Sequence, residues 1–316
     1  MHAKRIIALL SMCFLASALA FLLWNVSSAN LLYHLPRRAV KLAALCMTGS
    51  AIALSTLMFQ TVTANNILTP SILGLDSLYL LIQSMIVFLF GSKQLALMQR
   101  HSEYLLSVAL MVLFSLGLFS LLLGKRNFGL SVILLLGMMF GQLFGGLASF
   151  IQILIDPNEF LTVQARLFAS FNSVNTSLLL VSSLLFGLVF LVVLPHLDTL
   201  DVLSLGRDTA INLGIDYSGK SRLFLILVAI LTSVATALVG PVTFLGLLVV
   251  NIAKQLAKTY RHRLLLPMSC LLSMTSLVLG QLLVERIFQF NTPISVIINF
   301  LGGLYFLSLL ISRGKA

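Results

Sequence analysis

The most specific chemical motif in the sequence is GIDYSGKS at residues 214–221, which matches the phosphate-binding pattern G-x-x-x-x-G-K-[ST]. In nucleotide-binding proteins this loop joins a buried strand to a helix, and its backbone N–H groups bind the phosphates. Here the motif follows a polar segment and precedes an apolar run that starts near Arg222, and no apolar strand ends in an Asp that could hold magnesium. We therefore interpret it as a chance match in which Lys220 and Arg222 flank a membrane span, and we expect that this chain does not itself bind nucleotide.

Other residue patterns that support catalysis are missing from the sequence. It contains no His-x-x-x-His pair, no paired carboxylates and no nucleophile elbow, and its five histidines lie at the ends of apolar runs, where we expect them to be solvated or interfacial. Cys13, Cys46 and Cys270 lie inside apolar runs without His or Cys at metal-ligand spacing, as is typical of small core side chains. We expect no catalytic residue, no metal site and no cofactor bound by this chain.

The composition predicts a membrane protein. The 316 residues are 59% hydrophobic and 9% charged, with a mean hydropathy of +1.08, which is too apolar for a water-facing surface. A helix needs about 20 apolar residues to cross the hydrocarbon layer. The first run continues through Trp24, beyond the roughly 7–15 residues of a signal peptide, so we expect it to be a retained span. Charged residues, Pro and Gly divide the chain into about ten runs, at residues 6–24, 39–59, 75–91, 104–123, 128–155, 176–195, 221–239, 242–257, 264–284 and 293–312.

The charges predict the orientation of these spans. The 20 Lys and Arg are scattered in ones and twos between the runs, which is typical of membrane topology rather than of nucleic-acid binding. With ten spans and both termini in the cytoplasm, most of them are cytoplasmic, and the group Arg37, Arg38 and Lys41 is the main exception. None of the nine acidic residues falls in the middle of a predicted span, which weighs against a proton- or ion-coupled transporter.

Polar breaks at two places predict a pathway. The stretch from Asn65 to Gly74, NNILTPSILG, is irregular, and membrane proteins tolerate such backbone only where protein or a water-filled cavity satisfies its polar groups. We therefore expect it at a pathway or its mouth. A similar Pro and Gly interruption from Pro241 to Leu247 predicts an internal repeat, with the pathway between the two halves.

Residues 197–222 form the one long polar segment. Apolar residues at helical spacing, among them Leu200, Leu203 and Ala210, predict one or two short amphipathic helices split at Gly206. The segment is either a solvated loop or a docking surface for a soluble partner.

The fifth run carries small residues at every fourth position, Gly137, Gly141 and Gly145. Such a face lets another backbone approach closely. It either packs against a neighbouring helix or lines the pathway or a subunit contact.

Over essentially its whole length the sequence resembles the FecCD family, the permease subunits of ABC importers for iron-siderophores, haem and vitamin B12. The segment NNILTPSILGLDSLY at residues 65–79 is most similar to permeases of ferric-siderophore systems that pair two different permease chains. The matching residues follow in order along the chain: Leu35-Pro36-Arg37, Gly49, Gln60, Asn65, Thr69 to Gly74, Leu205-Gly206, Leu213-Gly214, Gly240-Pro241, Phe244 to Leu247, His262-Arg263 and Leu265-Leu266-Pro267.

The resemblance implies an all-α polytopic membrane protein with the type II ABC importer permease fold, an inverted repeat and a single transmembrane permease domain over residues 1–316. It implies the bacterial inner membrane as the location. It also implies three kinds of partner: a second permease subunit, two ATPase subunits that bind ATP and magnesium, and a periplasmic or lipoprotein substrate-binding protein. The second permease subunit is either identical or a different homologous chain, and the segment at residues 65–79 favours a different one.

Carried over position by position, the resemblance implies three sets of site residues. They are the outer docking surface for the binding protein, Arg37, Arg38 and Arg286; the cytoplasmic coupling segment (residues 198–216) that docks on the ATPase, with Leu205, Gly206, Arg207, Asp208, Leu213 and Gly214; and the gate at the cytoplasmic mouth, with Asn65, Asn66, Ile67 and Ser131.

The chain departs from the family pattern at four places: Asn66 replaces the usual Pro, Arg207 replaces Glu, Val250-Asn251 replaces Pro-His, and Asn291-Thr292-Pro293 replaces Glu-Leu-Pro. The expected function is that of a permease subunit, not an enzyme, in an ATP-driven importer of a ferric siderophore. Haem or vitamin B12 is the alternative cargo. A stand-alone secondary transporter of a small hydrophilic solute, or a membrane sensor or scaffold, is the competing interpretation.

Overall fold

The computed structural model describes residues 2–24, 31–97, 100–122, 130–172, 174–290 and 292–313, and every regular element among them is helical. The predicted all-α fold is confirmed. The helices are α1 (His2–Leu23), α2 (Leu31–Val62), α3 (Leu75–Leu97), α4 (Arg100–Leu122), α5 (Leu130–Leu154), α6 (Pro157–Leu167), α7 (Thr176–Val193), α8 (Leu197–Leu203), α9 (Arg207–Asn212), α10 (Tyr217–Val239), α11 (Leu245–Ala257), α12 (His262–Arg286) and α13 (Ile294–Arg313), with 3-10 turns at Pro70–Leu73 and Leu194–His196.

Ten of these helices coincide with the ten predicted spans. Six segments are long and apolar enough to cross a membrane, namely Ala3–Leu23, His34–Val62, Leu135–Leu154, Thr176–Leu203, Tyr217–Val239 and His262–Arg286. The fourth of them runs from α7 through the 3-10 turn into α8. Four shorter apolar segments complete the set, namely Leu75–Gly91, His101–Gly117, Leu245–Ala257 and Ile294–Ser308. The described part of the chain is therefore a multi-pass membrane bundle.

The centre of the bundle is α2, which packs between α10 and α12. Its small residues make this possible: Ala44, Ala51 and Ala53 are fully buried. At Gly49 an added Cβ would lie only 3.1 Å from the Leu277 side chain on α12. Small side chains at these positions let the neighbouring helices approach α2 closely.

The packing has the symmetry that an inverted repeat produces. The pairing of α2 with α12 has its counterpart in the pairing of α10 with α4. In the first half, irregular residues 63–74 lead into α3, which packs on α5; in the second half, residues 240–244 lead into α11, which packs on α13. The Pro and Gly interruptions that suggested a repeat therefore occupy corresponding positions in the two halves.

Close glycine contacts hold each break in place. Gly74 has φ +83°, which favours glycine, and an added Cβ would lie 2.8 Å from the Cα of Gly141 on α5. In the second half, a Cβ added to Gly302 on α13 would collide with Phe244. Of the two interpretations of the glycine face on α5, the packing face is the one that the structure shows at Gly141.

The bundle has two polar ends, named here by one residue each. The Arg38 end contains the last residues of α1, α10 and α12 and the first residues of α2 and α7. The Asp201 end contains the last residues of α2 and α11, the helices α8 and α9, and the first residues of α10 and α12.

Candidate functional site

At the Arg38 end, two of the predicted docking arginines converge on the last turn of α1. Arg38 Nη1 donates to the carbonyl oxygens of Phe21, Leu22 and Trp24 at 3.2, 3.0 and 2.9 Å. Arg286 Nη2 donates to the same Trp24 oxygen at 3.0 Å. A cation is favourable at a helix C-terminus, where carbonyl groups lack partners. These two arginines therefore stabilise the fold at this end, a contribution that the sequence did not indicate.

Lys41 belongs to the same basic group but is neutralised. Its Nζ lies 2.7 Å from Glu285 Oε1 and 3.1 Å from Asn172 Oδ1, and Gln281 Nε2 donates to both of those oxygens. Arg37 lines the cleft beside this group, a space of about 460 Å³. The positive charge available at the Arg38 end therefore comes from the arginines rather than from Lys41.

At the Asp201 end, residues 198–216 fold as two short helices, α8 and α9, as predicted. Gly206 separates them with φ +96°, and Gly214 ends the second with φ +81°. Leu200, Leu203 and Ala210 are buried against the bundle. The residues implied to dock on a partner lie mostly on the opposite side: Leu205, Arg207, Asp208, Leu213 and Gly214 are exposed, and Gly206 is partly buried.

The coupling segment is joined to α12 through a buried histidine. Asp201 Oδ1 accepts a hydrogen bond from His262 N at 2.7 Å and lies 2.7 Å from His262 Nδ1, while His262 Nε2 lies 2.8 Å from Thr61 Oγ1 on α2. His262 is 2% exposed, so the expectation that it is solvated or interfacial was wrong. The sequence placed it at a span end, but α8 covers that end. The second ion pair of α8, Asp198 with Arg263 at 2.8 Å, is exposed.

The phosphate-loop pattern at residues 214–221 lies in a different structural context from a nucleotide site. α10 begins at Tyr217, so the second half of the motif is the first turn of a helix. Asp216 Oδ1 accepts from Gly219 N at 3.0 Å, so a carboxylate occupies the position that a phosphate would need. No strand precedes the motif in the described chain, so its surroundings differ from those of a nucleotide-binding loop, and the chance match stays a prediction.

Three of the four predicted gate residues, Asn65, Asn66 and Ile67, lie just after the end of α2. Ala64 has φ +48°, and Asn65 Oδ1 accepts from Ile67 N at 3.0 Å, which forms a local turn. We call residues 63–69 the gate loop. Ser131 lies in the first turn of α5, but its side chain is outside the described part of the structure.

Asn66 is held from two helices. Its carbonyl oxygen accepts from Gln60 Nε2 on α2 and from Asn251 Nδ2 on α11, both at 2.9 Å. Its side-chain Oδ1 accepts from Lys254 Nζ at 2.7 Å, and Lys254 Nζ also donates to Gln60 Oε1 at 2.8 Å. Asn66 and Asn251 each depart from the family pattern, and the structure shows them bonded to each other. Of the fourth departure, Asn291 lies outside the described residues.

The gate loop and the coupling segment border one cleft. It measures about 450 Å³, and its lining includes Gln60 and Asn66 from the gate side, Ser204 from the coupling segment, and Lys254 and His262 between them. The two predicted site regions at the Asp201 end are therefore neighbours in space.

One acidic residue departs from the expected distribution. Asp76 lies in the first turn of α3, and its Oδ2 accepts from Thr243 Oγ1 at 2.9 Å. Thr243 precedes α11, whose 13 residues span about 20 Å, so this contact lies well inside the bundle from the Asp201 end. The sequence placed Asp76 at the edge of a span, whereas the structure uses it to join the two halves.

Comparisons with known proteins agree with this architecture. The model of the FecCD transport family matches residues 6–312. The petrobactin import system permease protein YclO of Bacillus subtilis (strain 168) is 53% identical over 284 residues, which cover 90% of each chain. The petrobactin import system permease protein FatC of Bacillus anthracis is 35% identical over 303 residues, covering 95% of this chain and 86% of that protein. A solved metal-chelate type ABC transporter in an inward-facing conformation has the same fold, with a TM-score of 0.83 at 23% identity over 98% of this chain and 99% of the other.

Proposed function

Because the chain belongs to the FecCD transport family, we propose that it is the permease subunit of an ATP-driven importer that carries a ferric siderophore across the bacterial inner membrane. The observation that carries the proposal is the 53% identity to a petrobactin import permease along 90% of both chains. Petrobactin is therefore the first siderophore to test. The permease moves its cargo and performs no chemistry on it.

The Arg38 end is the proposed outer face. Arg37, Arg38 and Arg286 give it a positive charge suited to acidic groups on a substrate-binding protein. Because α1 ends at this face, the orientation places the N-terminus in the cytoplasm, and ten spans return the C-terminus to the same side. Charge complementarity would speed the encounter and set the orientation of the docked protein.

The Asp201 end is the proposed cytoplasmic face, where α8 and α9 dock on an ATPase subunit. Leu205 and Leu213 are 54% and 60% exposed and flank the exposed charges of Arg207 and Asp208. Exposed apolar side chains beside charges are typical of a binding surface for a soluble partner. Each of the two ATPase subunits binds ATP and magnesium, and a second permease subunit, identical or homologous, completes the pathway.

Transport then depends on how the ATPase moves α8. The bonds from Asp201 to His262 and from His262 to Thr61 connect α8 to both α12 and α2. A displacement of the coupling segment therefore shifts the helices that carry the gate, and ATP binding changes the populations of closed and open states. Without differential contacts to the ATPase the equilibrium would not shift.

Growth under iron limitation tests the cargo. A strain that lacks this permease is supplied with ferric petrobactin, another ferric siderophore, haem or vitamin B12 as single sources. We expect loss of growth on ferric petrobactin, restored by the wild-type gene. Growth on ferric petrobactin that is unaffected by the deletion, with a defect on haem instead, would assign the importer to the alternative cargo.

A further inference from the structure

Buried donors hold the gate loop in the position that the structure shows. Gln60 and Asn251, which both donate to the Asn66 carbonyl, are only 1% and 5% exposed, whereas Asn66 itself is exposed at the mouth. If the loop moves outward, the polar groups of Asn66 can bind water. Gln60 and Asn251 then each lose a hydrogen bond to the Asn66 carbonyl, and a buried donor left without a partner is costly.

Lys254 adds a charged hydrogen bond to the same loop. Its ammonium group reaches the side-chain oxygens of Asn66 and Gln60 at 2.7 and 2.8 Å, so it joins α11, α2 and the loop at a single point. Hydrogen bonds from charged donors are stronger than neutral ones. We call Gln60, Asn66, Asn251 and Lys254 the latch.

Two short routes connect the latch to the coupling segment. Thr61, which contacts His262, follows Gln60 directly in α2. On the other side, only the end of α11 and residues 258–261 separate Lys254 from His262. His262 is bonded to Asp201 on α8, so a movement of α8 displaces both helices that supply the donors.

We propose that Asn251 and Lys254 are positioning residues of the gate: they hold Asn66 in the closed position until movement of α8 relative to α12 withdraws their hydrogen bonds. This inference rests on the proposed function, because it assumes that the Asp201 end is the inner mouth of the pathway and receives the ATPase. It adds Asn251 and Lys254 of α11 to the gate. It also gives one shared role to positions 66 and 251, where the sequence departs from the family pattern.

Distance measurements between spin labels test the latch. The labels are placed at Ala64→Cys in the gate loop and Gln255→Cys on α11, in a chain whose three native cysteines are replaced by Ala, within the complete complex in nanodiscs. In the nucleotide-free complex we expect Lys254→Met and Asn251→Ala each to increase the population of a longer distance between the two labels by about tenfold. Lys258→Met removes a charge one turn further on and serves as the matched control, with an unchanged distribution.

A variant that is expected to lower the population of the longer distance distinguishes a latch from a general loss of structure. Asn66→Asp preserves the shape of the side chain and converts its contact with Lys254 into an ion pair, so it should reduce the longer distance and slow ATP-driven uptake. Damage to the fold would not narrow the distribution. Wild-type distributions in Lys254→Met and Asn251→Ala, or a widened one in Asn66→Asp, would overturn the latch. Because the labels report on the loop without substrate, this result is distinct from a failure of the wild-type complex to import the chelate.

Discussion

The side-chain amide of Asn251 donates to the backbone carbonyl of Asn66 at 2.9 Å, across 185 positions of sequence. At both positions the FecCD family pattern has a different residue, and each difference taken alone only weakens the resemblance to the family. Together they form one contact: Asn251 supplies an N–H donor, and the chain at position 66 presents the acceptor. This contact, with Lys254, ties the predicted gate to α11.

Arg37 should contribute more to binding-protein docking than a cation at the other end of α1. Arg37→Glu should weaken docking of the binding protein by about tenfold or more at low salt, because it puts a negative charge in front of acidic partners. Lys4→Glu, at the other end of α1, is the control for net charge and should leave the affinity unchanged. The measurement is the affinity of the purified binding protein for the complex at two salt concentrations. Equal affinities for wild type and Arg37→Glu at low salt would remove Arg37 from the docking surface.

The two carboxylates of α8 should differ sharply in their effect. Asp201→Ala leaves the buried N–H groups of His262 without a partner, at a cost of about 1–3 kcal/mol, whereas Asp198→Ala removes an exposed ion pair worth about 0–1 kcal/mol. We expect Asp201→Ala to reduce the amount of cargo moved per ATP hydrolysed and Asp198→Ala to leave it unchanged. Equal losses in both variants would show that His262 does not transmit the movement of α8.

The break between α8 and α9 requires glycine. Gly206 has φ +96°, which proline cannot adopt because its ring fixes φ near −65°, so Gly206→Pro should reorient α9 and its exposed residues. We expect the variant to insert in the membrane and to lose stimulation of the ATPase by cargo-loaded binding protein, with Thr209→Ala as a control on the same helix. Normal ATPase co-purification and transport with Gly206→Pro would contradict the docking role of residues 205–214.

The contact between Gly74 and Gly141 predicts a stability difference between two glycine substitutions. Gly74→Ala combines a positive φ, at about 1–3 kcal/mol, with a Cβ 2.8 Å from the backbone of α5. Gly146→Ala, on the same α5, meets open space. The unfolding midpoint in detergent should fall for Gly74→Ala and stay near the wild-type value for Gly146→Ala. Similar midpoints would mean that α5 does not pack on the break as described.

Features that depend on local sequence were predictable. The ten apolar runs and the two helices split at Gly206 follow from hydropathy and periodicity, which neighbouring residues determine. The breaks at residues 65–74 and 241–247 follow from their Pro and Gly. These features were enough to predict the helical architecture and the two polar ends of the bundle.

Contacts between distant segments were not predictable in the same way. His262 was expected in solvent because it begins a span, and only the folding of α8 over it makes it buried. Lys41 counted as an outer charge because nothing local indicates Glu285, 244 positions away. Asp76 lies inside the bundle because residues 65–74 enter it before α3 begins. How far they enter depends on how α5 and α11 pack around them. A single sequence carries no pairing information at such separations.

Uptake by the reconstituted complex tests the central claim most directly. Proteoliposomes that contain this permease, its partner permease and the ATPases are given ferric petrobactin labelled with radioactive iron, together with the binding protein. We predict uptake that requires ATP on the ATPase side and disappears when the ATPase carries an inactivating substitution. Uptake that persists with the inactive ATPase and follows a proton or sodium gradient would contradict the account.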